Sequence, residues 1–353
     1  MKNGKMKMMA AILAALLMLG VAAQADTANP IPEVYDRVNA SVVQVRGIVE
    51  TWTREYGASE EVNAYGSGVY LEPGYIVTCW DIVDGADFVE IETTDGQVVR
   101  AKNVYSDNSV DLCAIELEAP LKGIEPVTLG DSTTLRPGET VIVIGTMVLD
   151  DIAFPGTLSV GYISGLDRPS AGFGSFTRSV PLIQLNVSLN SGMGGGGVFN
   201  EKGELIGLAA LKGGLIDDML YENLGLAIPS ATIERVAGDL IAHGSVRRPR
   251  MGVMVSDLDG PEEPIRTYPP CGLLVSEVEE GGPAAEAGMM MYDIITEFEG
   301  VRVHNFNELT AVLDTCAAGD TVRVKVYRCL DENGDMIEDP AFVELDIVLG
   351  ILD

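Results

Sequence analysis

Between Gly66 and Pro229 the sequence is a succession of ten short β-rich runs. The runs are VYLE, YIVT, FVEIET, VVRAKNVY, LCAIELE, TVIVIG, LSVGYI, LIQLNV, ELIGLAAL and LGLAIP. Glycine, proline, aspartate and asparagine separate them at a spacing of about 8 to 12 residues, which is typical of β-barrels and β-sandwiches. Because no long stretch with a helical period interrupts this region, the sequence predicts a mostly β protein.

The composition fits a loop-rich protein with more than one domain. At 353 residues the chain has room for two or three domains, and 47% of its residues are hydrophobic, which is enough for sizeable cores. The formal net charge is −30. A surface this acidic repels the phosphates of nucleic acids and anionic lipids, so we expect neither as a partner.

The N-terminus has the three parts of an export signal. Three lysines lie within the first seven residues, an apolar stretch runs from 8 to 23, and Ala23-Gln24-Ala25 is a small-x-small cleavage site. We predict that residues 1–25 are a signal peptide and that the mature protein is exported, with no membrane attachment after cleavage. A retained anchor is the less favoured alternative, because the stretch is shorter than the ~20 residues that span a bilayer.

Two patterns precede the β-rich region. The apolar spacing of Pro32–Asn39 is compatible with a helix, and SVVQVRGIV at 41–49 alternates as a β-strand does. Residues 51–64 are polar and have no period, so we predict a surface loop there.

Residues 183–208, IQLNVSLNSGMGGGGVFNEKGELIGL, form the most informative motif. They resemble the nucleophile loop of the HtrA (DegP-like) branch of the trypsin-like serine proteases, roughly I-Q-x-D-x-x-I-N-x-G-N-S-G-G-P-L-x-N-x-x-G-x-x-I-G. The two patterns align without a gap and place Gly194 at the position of the catalytic serine. Asn190 and the run that begins at Asn200 are present, and the alignment makes Gly192 the oxyanion-hole equivalent.

The other two triad positions lie in two shorter motifs. GSGVYLEPGYIVTCWDIVDGAD at 66–87 resembles the family's G-S-G-x-x-x-x-x-G-Y-I-L-T-x-x-H-V-V-x-G-A-D, and it places Asp81 at the position of the catalytic histidine. VDLCAIEL at 110–117 resembles T-D-L-A-x-L-x-I, and it keeps the orienting aspartate as Asp111. The resemblance therefore implies that one triad member is present and two are missing.

The same resemblance implies a fold and a domain order. It predicts a trypsin-like double six-stranded β-barrel over residues 26–229, followed by a linking helix over 230–246. Apolar residues at helical spacing run from Ser230 to His243, and we predict Ser230 as the N-cap and Gly244 as the C-cap of that helix.

The C-terminal segment, 247–353, resembles a PDZ domain. Its strongest marker is the P-A-A-x-A-G-[ML]-x-x-x-D-x-I pattern at Pro283–Ile295. The resemblance implies that an exposed strand edge and a loop of backbone N–H groups bind the C-terminus of a peptide. The peptide-binding residues are then Arg250, Met251, Gly252 and Val253.

Acyl transfer needs a nucleophile, a base and donors aimed at the oxyanion. The only histidines of the chain, His243 and His304, lie beyond the protease motifs, so neither is expected to be the base. We do not expect Ser188 or Ser191 to replace the missing nucleophile, because neither falls at the aligned position. The four consecutive glycines that begin at Gly194 disfavour a preformed oxyanion hole, since ordering them costs entropy.

Asp81 and Asp111 are expected to be neighbours. Two close carboxylates share a proton with a raised pKa or hold a cation, and an inert Asp81 turned to solvent is the alternative. We expect no cofactor and no resident metal. Cys79 lies two residues before Asp81 and Cys113 two residues after Asp111. The sequence is compatible both with a disulfide between these cysteines and with two buried free thiols.

The sequence therefore predicts an exported, catalytically inactive HtrA-like homologue that binds exposed or unfolded polypeptide segments, C-termini included, through its PDZ domain. An active serine-type endopeptidase of protein quality control with a non-standard constellation is the alternative. A purely structural scaffold is a third possibility, and a homo-oligomer is left open.

Overall fold

A computed structural model describes residues 29–53, 57–150, 152–170, 176–178, 180–212, 215–216, 219–220, 223–258, 272–331 and 334–352. The predicted signal peptide, residues 1–25, lies outside the described residues. Within the described residues, no helix is both long and apolar enough to cross a membrane.

The N-terminal part of the described residues is a closed β-barrel preceded by a short helix. Helix α1 (Ile31–Val38) buries Val34 and Val38 in a core to which both barrels contribute. The strands are β1 (Val42–Thr53), β2 (Gly57–Glu72), β3 (Tyr75–Thr78), β4 (Phe88–Glu92), β5 (Val98–Asp107) and β6 (Leu112–Leu117). They close in the order β1-β2-β3-β6-β5-β4. In β4 the side chains alternate between the interior and the rim, as a barrel wall requires.

A second closed barrel follows. Its strands are β7 (Thr140–Leu149), β8 (Ile152–Pro169), β9 (Pro181–Leu185), β10 (Gly197–Phe199), β11 (Leu205–Lys212) and β14 (Gly225–Pro229), in the order β10-β11-β14-β9-β8-β7. The short strands β12 (Leu215–Ile216) and β13 (Met219–Leu220) pair outside it. The predicted double six-stranded barrel is confirmed.

The predicted surface loop over residues 51–64 is wrong for residues 51–53 and 57–64, and residues 54–56 lie outside the described residues. Strands β1 and β2 pair with each other over the described part of this segment, with Trp52 paired to Ala58 and Ile48 paired to Val62. The side chains at 58–61 are exposed, and Trp52 is 71% exposed. Because solvent reaches both faces of the hairpin, its sequence lacks the period-2 pattern that identifies half-buried strands.

Helix α2 (Ser230–His243) confirms the predicted helix between the second barrel and the PDZ domain. It ends at Gly244, which adopts the left-handed conformation at φ 78°. The predicted N-cap is wrong, because Pro229 occupies that position and Ser230 is the first helical residue. The Ser230 hydroxyl instead donates to the carbonyl of Gly130 at 2.6 Å. The apolar face of the helix packs against β5 and β6 of the first barrel and against β11 and β14 of the second.

The C-terminal unit is a small sheet with two helices. The elements are β15 (Arg248–Arg250), β16 (Val253–Asp257), β17 (Leu273–Val278), α3 (Pro283–Glu286), β18 (Ile294–Phe298), β19 (Val301–Arg302), α4 (Phe306–Leu313), β20 (Thr321–Leu330), β21 (Met336–Val348) and β22 (Gly350–Leu352). The main path is β16-β17-β18-β20-β21, so β16 is an edge strand. Asn305 is the N-cap of α4, and its side-chain oxygen accepts from the backbone N–H of Glu308 at 2.9 Å.

Two ion pairs connect this unit to the barrels. Arg248 in β15 pairs with Asp107 at the end of β5, and both side chains are buried. Arg178, which precedes β9, donates from Nη2 to Oδ1 of Asp314 at 2.7 Å. Asp314 is the residue after α4. Both units therefore contribute charged groups to their shared boundary.

Candidate functional site

The predicted triad region lies where the two barrels meet. Ser67 of the first barrel donates from its backbone N–H to the carbonyl of Gly194 at 2.7 Å, and from its hydroxyl to the carbonyl of Gly192 at 2.7 Å. The Cys79 thiol donates to the carbonyl of Ala209 in the second barrel at 3.5 Å. The motifs that are far apart in sequence thus meet at one junction.

Asp81 lies in a short 3-10 turn, Trp80–Ile82, directly beside Asp111. The backbone N–H of Asp81 donates to Oδ1 of Asp111 at 3.2 Å, and that of Trp80 donates to the Asp111 carbonyl at 3.3 Å. Asp111 is buried and has a φ of 55°, in the left-handed region that few non-glycine residues adopt. The structure therefore brings the two predicted aspartates together.

The surroundings favour the neutral forms of the groups at this junction. Burial raises the pKa of Asp81 from its ordinary 3.8, against a backbone hydrogen bond from Ile82 that lowers it. Because Asp81 is an exposed residue, solvent limits this rise. Burial, followed by the charges of Asp111 and Asp81, raises the pKa of the Cys79 thiol well above its usual value. Burial likewise raises the pKa of Cys113.

The side chains of Cys79, Asp81 and Asp111 offer ligand atoms that all lie within 4.8 Å of one another. A metal ion could bridge atoms at this spacing, but the thiol that burial keeps protonated is a poor ligand. Burial is the cause of the raised pKa of Asp81. The carboxyl oxygens of Asp81 and Asp111 also lie within 4.8 Å of one another, where the two groups can interact without any added group. Cys79 and Cys113 are both free thiols. The structure therefore agrees with the two buried thiols and not with a disulfide between them.

The carboxyl pair leads to a titration prediction. We expect at least one carboxyl of the pair to titrate above the ordinary aspartate value of ~3.9, with Asp81 as the group whose pKa is raised. Carboxyl-resolved NMR titration of the wild type and of Asp81→Asn tests this, because the substitution removes the raised transition. Two independent transitions at the ordinary value would show that the carboxyls are not coupled.

The same titration has a consequence for stability. A folded-state pKa above the unfolded value means that the folded protein holds the proton more tightly. Ionised Asp81 therefore lowers the free energy of unfolding as the pH rises above 3.8. Asp81→Asn should unfold at a slightly higher urea concentration than the wild type at pH 7, and this advantage should disappear when the pH falls below 3.8.

The loop around Gly194 is held by hydrogen bonds along its length. Besides the two bonds from Ser67, the backbone N–H of Met193 donates to Asn190 and that of Gly196 donates to Met193. The N–H of Gly195 donates to the Ala209 carbonyl at 2.7 Å. These bonds offset the entropic cost that consecutive glycines predict. The loop is therefore better anchored than its composition suggests.

Gly194 itself is half-buried and has open space beside it. A Cβ atom built at Gly194 has no other atom within 4 Å, and its φ is not positive. Within the described residues, the backbone N–H groups of Gly192 and Gly194 donate to no acceptor. The position aligned with the nucleophile thus has room for a side chain, next to two N–H groups that an oxyanion could accept from.

The remaining candidate groups are engaged elsewhere. The Ser188 hydroxyl lies 3.0 Å from Oδ1 of Asn223, and Ser191 is exposed. Nδ1 of His304 contacts Glu308 at 2.9 Å, and Nδ1 of His243 lies 3.8 Å from Asp239. Both histidines are thus paired with acidic residues on their own helix or beside it.

A second candidate site is the groove between β16 and α4. It has a volume of about 540 Å³. Its lining residues are Arg178, Pro249, Arg250, Met251, Gly252, Val253, Met254, Val255, Glu277, Val278, Glu279, Glu280, Phe306, Leu309, Thr310 and Leu313. All four predicted peptide-binding residues therefore line one groove, along the edge strand β16.

The loop that begins the groove is fixed by backbone hydrogen bonds. Glu279 donates its N–H to the carbonyl of Gly252 at 2.9 Å, and Ala284 donates to that of Met251 at 2.8 Å. Gly252 has a φ of +77°, which favours glycine. The Arg250 guanidinium pairs with the Glu279 carboxylate, at 3.0 Å between Nη1 and Oε2. The loop is therefore formed before any peptide arrives.

Sequence reasoning missed two parts of this groove. Glu279 follows β17 and reaches the loop across the sheet, and Arg178 comes from the other domain. The segment TRS around Arg178 belongs to no motif that the resemblance covers. No local pattern could have placed it here.

Comparisons with known proteins agree with this architecture. Residues 66–208 match the trypsin-like peptidase domain model, and residues 249–338 match the PDZ domain model. The serine protease Do-like HtrA of Bacillus subtilis is 33% identical over 280 residues, covering 74% of this chain and 60% of that protein. The chain belongs to the HtrA-type family. A probable periplasmic serine endoprotease, DegP-like, of Halomonas elongata is 31% identical over 280 residues, covering 77% and 55%.

Two solved structures share the fold. The HtrA-type protease AlgW with decapeptide superposes with a TM-score of 0.71 at 23% identity, over 92% of this chain and 99% of that one. The serine endoprotease from Yersinia pestis gives 0.62 at 24% identity, over 92% and 98%. The present HtrA-type chain spans about three fifths of the length of the curated relatives that it matches.

Proposed function

We propose that this HtrA-type protein does not hydrolyse peptide bonds and that it binds polypeptide segments through its PDZ groove. One observation carries the first part. At the junction where the family's triad aligns, Asp111 lies beside the carboxyl group of Asp81 and the nucleophile position is Gly194, which has no side chain. Neither a proton acceptor of the usual kind nor an attacking oxygen is available there.

The chemistry of acyl transfer explains why the rest of the site cannot compensate. Without a nucleophile and base, an intact oxyanion hole and substrate binding accelerate hydrolysis by only ~10³- to 10⁴-fold over water. An ordinary protease assay does not detect such a rate. The thiol of Cys79 is buried and kept neutral by its surroundings, so it is not a replacement nucleophile.

Three features support polypeptide binding. The groove lies beside an edge strand, so a peptide can add to the sheet by backbone hydrogen bonds. Met251, Leu309 and Leu313 line it with apolar surface for a C-terminal side chain. A solved structural neighbour, AlgW, carries a decapeptide. Unfolded or C-terminal polypeptide segments are therefore the proposed partners. Nucleic acid is not proposed as a partner, because the net charge of −30 repels phosphate groups.

The proposed location is outside the cytoplasm. Residues 1–25 have the composition of a signal peptide, and relatives with 31% and 29% identity are named as periplasmic. The proposed mature protein then comprises a barrel domain over 26–229, a linking helix over 230–246 and a PDZ domain over 247–353.

The test of inactivity uses the purified mature protein. We expect unfolded casein to remain intact, and a fluorophosphonate probe to leave no adduct at any serine, including Ser188 and Ser191. Mass spectrometry of the probe-treated protein and gel analysis of the casein give the two readouts. Casein cleavage that is lost in Ser191→Ala would instead establish the active endopeptidase with a non-standard constellation.

A further inference from the structure

The direction of the two groove walls places Arg178 at one end of the groove. The backbone N–H of Phe306, at the start of α4, donates to the carboxylate of Asp257, at the end of β16, at 2.7 Å. The helix therefore starts where the strand ends. Because the helix runs antiparallel to the strand and both line the groove, its last residue, Leu313, falls toward the start of the strand and the loop that contains Gly252. Arg178 bonds the next residue, Asp314, and so lies at the loop end.

The guanidinium of Arg178 has unused donors. Nη2 donates to Asp314, while Nε is buried and, within the described residues, has no hydrogen-bond partner. An arginine side chain offers five N–H donors in a planar fork. A buried donor without an acceptor costs stability. The Arg178 side chain is 16% exposed and lines the groove, so a second acceptor that enters there can reach the terminal N–H groups of the guanidinium.

The charges around Arg178 also favour an additional anion. Burial is the largest cause that lowers the pKa of Arg178, and the nearby Arg248 adds to this effect, whereas Asp314 and Asp107 oppose it. Arg248 already pairs with the buried Asp107. The single bond to Asp314 thus does not fully compensate the buried charge of Arg178.

The other arginine that lines the groove, Arg250, has a carboxylate partner of its own. Arg250 contacts both oxygens of Glu279 through its terminal nitrogens, at 3.0 and 3.2 Å. Glu277 and Glu280 line the groove as well and repel an anion. Within the described residues the buried Nε of Arg250 also has no partner. Arg250 contacts its carboxylate through two nitrogens, whereas in the described part of the chain Arg178 makes a single contact, with Asp314. Arg178 is therefore the arginine with more donors left for an entering carboxylate.

We infer that the C-terminal carboxylate of a peptide bound in the PDZ groove is recognised by Arg178 of the barrel domain together with the N–H groups of the Met251-Gly252-Val253 loop. This inference rests on the proposed peptide binding and deepens it. The ligand class is a polypeptide end with a free carboxylate and an apolar last residue, and the site is shared by two domains. An internal or amidated segment lacks the group that Arg178 would bind.

A competition between two peptide pools tests the inference on the full mature chain. Both pools are decapeptides with nine randomised residues and a C-terminal valine. One has a free carboxylate, and the other is isotope-labelled and amidated. Immobilised protein is incubated with an equal mixture, and the acid-to-amide ratio of the retained peptides is measured by mass spectrometry.

We expect the wild type to retain the acid pool in excess, and Arg178→Ala to reduce the ratio by about tenfold, because a charge-assisted bidentate contact is lost. Arg178→Lys should lie between them, since it keeps the charge and loses the fork. Arg136→Ala is the matched control. Arg136 is exposed and lies outside the groove, so its ratio should equal that of the wild type.

Two other outcomes overturn the inference in distinguishable ways. If Arg178→Ala lowers retention of both pools equally, or leaves the ratio unchanged, Arg178 has only a structural role and the carboxylate assignment is wrong, while peptide binding stands. If the wild type retains neither pool, the proposed peptide-binding function fails and the inference falls with it.

Discussion

Asp81→His combined with Gly194→Ser is expected to produce measurable casein cleavage, whereas each single substitution stays at the background of the parent. Without a base, the hydroxyl of a serine at position 194 keeps its ordinary high pKa and is a weak nucleophile. Without that hydroxyl, a histidine at position 81 has no nucleophile to activate. Asp111 is already in place and accepts a hydrogen bond from the backbone of residue 81, so it can orient an imidazole there.

The local geometry favours the serine as well. A Cβ atom at Gly194 meets nothing within 4 Å, and the left-handed conformations of the loop fall on Gly192 and Gly195, which the substitution leaves unchanged. The bonds from Ser67 hold both sides of the turn. The nucleophile position can thus accept a side chain without rearranging the loop.

We expect the double variant to recover only part of the hydrolytic activity of a complete triad. A full triad is worth roughly 10⁶ in kcat over the same site without it, and we expect the double variant to recover only a small part of this, at least ~100-fold over the parent. Met193, which occupies the position between Gly192 and the nucleophile, is buried in the second barrel. Its fixed position constrains how the N–H groups of Gly192 and Gly194 point.

A matched double variant controls for contamination and for the charge change. Asp84→His combined with Gly194→Ser makes the same two replacements, but Asp84 is exposed and lies three residues after the aligned position. It should remain inactive. Equal cleavage by both double variants would point to a contaminating protease. Absence of cleavage in the Asp81→His double variant, with its fold intact, would mean that the junction has lost more than two side chains.

The sequence predicted the parts of this fold whose local pattern is tied to burial. The ten β-rich runs correspond to barrel strands, and strands such as β6 and β14 are buried along almost their whole length, which explains their nearly continuous apolar sequences. Helix α2 is predicted from its buried stripe. The hairpin over 51–64 was missed because neither of its faces is buried. The sequence misassigns Ser230 as a cap because its hydroxyl donates to the carbonyl of Gly130. That partner is far away in the sequence, so no local pattern indicates it.

The same distinction applies to the candidate sites: residues within local motifs can be predicted, and residues that tertiary packing brings in cannot. The positions of Asp81, Asp111 and Gly194 follow from gapless motif alignment, and the four groove residues follow from the PDZ marker. Arg178 and Glu279 could not be predicted, because each reaches its site from a different element through tertiary packing. Charge complementarity at a domain boundary depends on how the two domains dock, and composition does not encode that.

Arg248→Met is expected to lower the free energy of unfolding by about 3–5 kcal/mol, the usual loss when one partner of a buried ion pair is removed. The side chains of Arg248 and Asp107 are only 9% and 6% exposed. Asp107 would keep its hydrogen bonds from Ser109, but its charge would be left in the protein interior. Urea unfolding followed by tryptophan fluorescence suits this test, because Trp52 and Trp80 both lie in the first barrel, as Asp107 does.

The matched variants separate the ion pair from the side chain itself. Arg247→Met changes an exposed neighbour and should shift the free energy of unfolding by less than about 0.5 kcal/mol. Arg248→Met combined with Asp107→Asn should recover most of the loss, since no uncompensated charge then stays buried. Because the pair joins β15 of the PDZ unit to β5 of the first barrel, its loss should also weaken the docking that brings Arg178 to the groove. If Arg248→Met behaves like Arg247→Met, the pair contributes nothing to the stability of the barrel, and the docking of the two domains must depend on Arg178, Asp314 and the apolar contacts around them.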